Sequence, residues 1–72
     1  MPSWKELKRF CENDDWVLYK KTDHDYYRKL MPDGTLKRTK VSRDSGQIKA
    51  HLWENILRKQ LKVTKEYFNS KI

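Results

Sequence analysis

The apolar positions change period twice along the chain. Trp4, Leu7, Phe10 and Cys11 recur at three- and four-residue spacing, which predicts one apolar face of a helix over residues 3–13. Ser3 followed by Glu6 is a capping-box pattern that satisfies two orphan amides at the helix start. The polar run Glu12-Asn13-Asp14-Asp15 ends it. From Trp16 the pattern becomes a run of aromatic and branched residues, Trp16-Val17-Leu18-Tyr19, read as a strand that continues through Lys20-Lys21-Thr22 to a turn at Thr22-Asp23. Residues 24–30 form a second strand with Tyr26 and Tyr27, and residues 35–42 a third with Thr39 and Val41. Pro32-Asp33-Gly34 between them is the strongest turn signal in the chain: proline presets φ, aspartate favours the turn, and glycine supplies a positive φ. Arg43-Asp44-Ser45-Gly46 is read as a loop. Residues 47–61 return to helical spacing, with Leu52, Trp53, Ile56 and Leu57 central and Ile48 and Leu61 flanking, and Thr64 caps a short final turn through Tyr67 and Phe68.

This order predicts a single α+β domain over residues 1–72. A three-stranded antiparallel sheet is covered on one face by two helices, with a short helix after them. Strand side chains alternate between faces. The alternation assigns Trp16, Leu18, Tyr27, Thr39 and Val41 to the covered face. The open face then collects Val17, Tyr19 and Lys21 from the first strand, His24, Tyr26 and Arg28 from the second, and Leu36, Arg38 and Lys40 from the third. Strands one and two carry apolar residues on both faces, so a one-residue slip would exchange the sets.

Composition sharpens the picture. Hydrophobic residues are 36% of the 72, but three Trp, four Tyr and two Phe bury large areas per position, which argues against disorder. Seventeen basic residues against ten acidic ones give +7, and the excess is uneven: residues 1–15 carry −1, while 16–42 and 43–72 carry +4 each. That balance points to an anionic partner, nucleic acid before a membrane surface. No apolar run approaches the ~20 residues of a bilayer span, and the N-terminus has no secretion-type apolar stretch, so a soluble cytoplasmic protein is expected. One cysteine makes neither an internal disulfide nor a Cys-rich zinc site. No metal or other cofactor is expected.

His24 is the one candidate catalytic group in the strand region. Bases neutralise phosphates, aromatic rings stack on unpaired nucleobases, and an imidazole moves protons near neutral pH. RNA supplies its own nucleophile, the 2′-hydroxyl. A histidine acting as general base, with Arg28, Arg38 or Lys40 stabilising charge on the phosphorus-centred transition state, is therefore sufficient chemistry, and DNA would be spared. Asp23 and Asp25 flank His24, but alternation points both away from it. His51 on the second helix and Cys11 on the first are read as structural, the thiol as inert. Ser42 and Ser45 have no histidine placed nearby in sequence for a hydrolase triad.

These residues together resemble the HicA family of messenger-RNA ribonuclease toxins, whose fold is similar to that of double-stranded-RNA-binding domains. The resemblance rests on Leu7-Lys8-Arg9-Phe10, Trp16-Val17-Leu18, His24 with Tyr27 three residues on, the Pro32-Asp33-Gly34 hairpin, Ile48-Lys49, Ile56-Leu57-Arg58 and Thr64-Lys65-Glu66-Tyr67-Phe68. It implies a metal-independent endoribonuclease acting on mRNA, with His24 catalytic and a HicB-like antitoxin as partner. Tyr19, Lys21, Tyr26, Arg28, Arg38 and Lys40 are expected to hold the RNA. The family's Gly-Ser before the histidine is here Thr22-Asp23, and its usual glycine near the end of the second helix is here Lys62. Two other readings stand beside this one: a non-catalytic RNA-binding module, and a protein-interaction domain whose open face docks a partner.

Overall fold

The structure is a computed structural model that describes residues 2–43 and 46–72, so Asp44 and Ser45, the middle of the expected 43–46 loop, lie outside the described residues. Helix α1 (Trp4–Asn13) begins as the capping box requires: the Glu6 amide donates to Ser3 Oγ at 3.2 Å and the Ser3 amide to Glu6 Oε1 at 3.0 Å. Strands β1 (Val17–Lys21), β2 (His24–Leu30) and β3 (Leu36–Ser42) follow as an antiparallel meander in the order β1-β2-β3. Gly34 takes φ 90° in the β2–β3 turn, a value open to glycine and costly for other residues. Asp33 fixes the turn by accepting from the Thr35 amide at 2.9 Å.

The second helix differs from expectation at both ends. It starts as α2 (Ala50–Asn55), three residues late, because the backbone before it is already paired: Gln47 bridges to Ser3, and the Ile48 amide donates to the Pro2 carbonyl at 3.0 Å. It then widens into a π-helical segment (Ile56–Leu61). Ile56, Leu57 and Leu61 are all buried there, and the wider turn lets residues five apart face the core together. The segment ends at Lys62 in the left-handed region (φ 56°, ψ 45°), with its amide donating to the Leu57 carbonyl at 2.8 Å. Helix α3 (Lys65–Ser70) is capped by Thr64, whose hydroxyl accepts from the Tyr67 amide at 3.1 Å.

All helices lie on one side of the sheet, with α1 and the π-helical segment packed against β3. The core is Leu7, Phe10 and Cys11 from α1, Trp16, Tyr27 and Val41 from the strand region, and Ile48, Trp53, Ile56, Leu57, Leu61 and Phe68 from the C-terminal half. Phe68 stacks on Phe10 (centroids 5.0 Å apart) and meets Trp53 edge-on at 4.6 Å, tying α3 to both other helices. Burial pushes the Cys11 thiol up to about 12, aided by Asp14 and Glu12, so it stays protonated and inert. Thr39 on the covered face donates to Gln60 Oε1 at 2.7 Å, and this bond joins β3 to the π-helical segment. Leu18 lies opposite Tyr27 on the covered side as assigned, yet it stays 44% exposed because β1 is an edge strand. Among the described residues no helix is long and apolar enough to cross a membrane.

Candidate nucleic-acid interface

The open face follows from the strand register. Asp25, Tyr27, Thr39 and Val41 are buried under the helices, so their alternates face away from them. In β2 and β3 the cross-strand pairs His24–Ser42, Tyr26–Lys40, Arg28–Arg38 and Leu30–Leu36 share this face. In β1, Val17 lies opposite Arg28, but a bulge between Leu18 and Lys20 then shifts the register, pairing Lys20 with Tyr26 and Lys21 with Asp25. A bulge sets two residues of one strand against one of its neighbour. Tyr19 and Lys20 therefore both lie on the open face, while Lys21 moves to the helix side.

Five of the six expected RNA-holding residues, Tyr19, Tyr26, Arg28, Arg38 and Lys40, thus share one face with His24. Lys21 is the correction: the bulge takes it to the other side, where it lines a cleft with Trp4, Lys5 and Lys8. Lys20 takes its place, and sequence reasoning missed it because nothing in Val17-Leu18-Tyr19-Lys20-Lys21 marks where a strand with apolar residues on both faces breaks register.

The face is built as a ladder. The Arg28 guanidinium lies 5.0 Å from the Tyr19 ring centroid and the Lys20 ammonium 5.5 Å from that of Tyr26, while the two tyrosine rings are 6.2 Å apart. The ring quadrupole attracts the cation without neutralising its charge. Among the described residues no carboxylate pairs with Lys20, Arg28, Arg38 or Lys40; the acids that are paired lie elsewhere, Asp14 with Lys29, Asp25 with Arg43 and Lys8, and Glu54 with Arg58. Arg28 and Arg38 sit directly across from one another, a like-charge pair whose repulsion an anion between them would relieve.

His24 is half-buried at the end of this ladder, its ring edge-on to Tyr26 at 6.4 Å. Its Nδ1 is sealed from solvent and has no hydrogen-bond partner among the described residues. An imidazole that takes a proton on one nitrogen carries one on the other, and a buried N–H without an acceptor costs about 1–3 kcal/mol. Among the described residues, the Tyr26 ring packs against it and no acceptor orients Nδ1. The flanking aspartates are not its partners: Asp25 is buried on the opposite face, with Arg43 at 3.0 Å, and Asp23 is exposed in the β1–β2 turn. His51 is exposed on α2, away from this face. Among the described residues, no group of three or more His, Cys, Asp or Glu side chains converges in a way that could hold a metal ion.

No family model, curated protein or solved structure matches this chain.

Proposed function

We propose that the protein is a metal-independent endoribonuclease of the HicA toxin kind, acting on messenger RNA from the open face of a sheet like that of double-stranded-RNA-binding domains. One observation carries the reading: this face joins a histidine, two tyrosines and four cations with no acid among the described residues there, while the helices cover the other side. Single-stranded RNA needs this combination, with bases stacking on Tyr19 and Tyr26 and phosphates meeting Lys20, Arg28, Arg38 and Lys40. Within this reading His24 takes the 2′-hydroxyl proton at Nε2, since Nδ1 is closed off. The freed oxygen attacks the adjacent phosphorus, the P–O5′ bond breaks as the leaving 5′-oxygen takes a proton from water, and the paired arginines stabilise the charge gathering on the phosphoryl oxygens.

A protein partner is supported separately. Val17, Leu30 and Leu36 lie on the same face at 57%, 71% and 38% exposure, an apolar end that RNA binding does not require and that a covering antitoxin of the HicB kind would bury. The reading is tested by incubating the protein in EDTA with an RNA strand and with the DNA strand of the same sequence. Cleavage of the RNA alone, leaving 2′,3′-cyclic phosphate ends, is the expected result. Cleavage of both strands, or of neither while duplex RNA binds tightly, removes the proposed chemistry.

A further inference from the structure

The bulge that removes Lys21 from the open face places it on a second cationic surface. A cleft of about 410 Å³ lies on the helix side of the sheet, lined by Lys5 and Lys8 of α1, Lys21 of β1 and Arg43 after β3, with Trp4 on its wall and Asp25 on its floor. Ser42 also lines it, and Ser42 is the cross-strand neighbour of His24. The cleft therefore lies directly behind the histidine, one backbone layer away around the end of the sheet.

We infer that this cleft binds a backbone phosphate of the same RNA strand whose neighbouring nucleotides lie on the open face, so that the strand wraps around the sheet end at His24. The inference rests on the RNA reading above and adds a site to it.

The chemistry of the lining selects the ligand class. Ammonium and guanidinium groups donate hydrogen bonds and accept none, so the ligand must present acceptors and negative charge. Asp25, the one carboxylate among the described lining residues, does not contradict this. It is only 6% exposed, and its Oδ1 holds the Arg43 guanidinium at 3.0 Å while its Oδ2 lies 4.0 Å from the Lys8 ammonium. It acts as the brace that fixes the arginine, leaving the other guanidinium donors for the ligand. Lys5 and Lys21 have no carboxylate partner among the described residues. Among the described residues one carboxylate thus faces four cations in this cleft.

Binding is measured with a short 2′-O-methyl oligoribonucleotide of mixed sequence, which cannot be cleaved because its 2′-oxygen carries no proton. The compared proteins are wild type, the combined Lys5→Gln, Lys8→Gln, Lys21→Gln variant, and Lys5→Glu alone, whose exposed position on the first turn of α1 makes it safe for folding. The combined variant is expected to bind about ten-fold more weakly. Its slope of log affinity against log salt should be shallower by about 0.7, the value of one phosphate on a single strand. Lys5→Glu should move affinity in the same direction. If wild type binds and the combined variant matches it in affinity and slope, the cleft is no phosphate site while the open-face reading stands. If the variant keeps its RNA affinity but loses binding to a poly-glutamate peptide, the cleft serves an acidic protein and the inference is overturned. If wild type itself does not bind the oligonucleotide, the RNA reading fails and this one with it.

Discussion

Asp14 shows how much of the fold a single side chain can hold. It is 5% exposed and receives the Trp16 Nε1 proton at 2.9 Å, the Tyr67 hydroxyl proton and the Lys29 ammonium at 3.1 Å, joining the α1–β1 turn to α3 and β2. Burial by itself would raise its carboxyl, but the bonds from Tyr67, Trp16 and Lys29 outweigh that and hold it below the ordinary aspartate value. A carboxylate whose folded pKa is depressed contributes stability above the unfolded pKa of about 3.9 and loses it as pH falls through the folded value. Asp14→Asn is accordingly expected to lower stability by about 1.5–3 kcal/mol at neutral pH, with the gap to wild type closing below about pH 4. Urea unfolding across that range checks it; a gap that stays constant or widens in acid contradicts the assignment. In the sequence Asp14 is one of several acids in a polar run and reads as the end of a helix. Its burial depends on Tyr67, 53 residues away, and no local pattern carries that information.

At the level of elements, what was legible was the part governed by local chemistry. The Ser3–Glu6 box, the Pro32-Asp33-Gly34 turn and the Thr64 cap all appear in the structure because each is settled within a few residues. The two departures are places where tertiary packing overrode local preference. The β1 bulge lets Tyr19 and Lys20 share a face, and the π-helical segment aligns Ile56 with Leu61 toward the core. Neither leaves a mark in the spacing, since β1 has apolar residues on both faces and the second helix is apolar at both three-four and five-residue intervals. Lys62 records a cost of the second departure, because a side chain in the left-handed region is strained by about 1–2 kcal/mol while glycine is not. Lys62→Gly is expected to raise stability by about 0.5–1 kcal/mol, or about 2–8 °C in Tm, after the glycine's own entropy is deducted. A lower melting temperature for Lys62→Gly would show that the Lys62 side chain, not the backbone angle, matters there.

At the scale of the whole molecule, charge and burial are sorted by side of the sheet. The side that meets the helices holds the core and the buried carboxylates Asp14 and Asp25, each braced by cations. The other side keeps its cations unpaired among the described residues and carries the tyrosine pair and His24. Alternation anticipated most of that separation, and the bulge altered it at Lys20 and Lys21 alone. The core lies on one side of the sheet, and the described helices leave the other face uncovered. The most direct test of the account is the rate of single-stranded RNA cleavage in EDTA by wild type and by His24→Ala, with circular dichroism and thermal unfolding establishing that the variant is folded. General base catalysis by His24 predicts a loss of about 10²–10⁴-fold in the variant. Equal cleavage by the two proteins would contradict it.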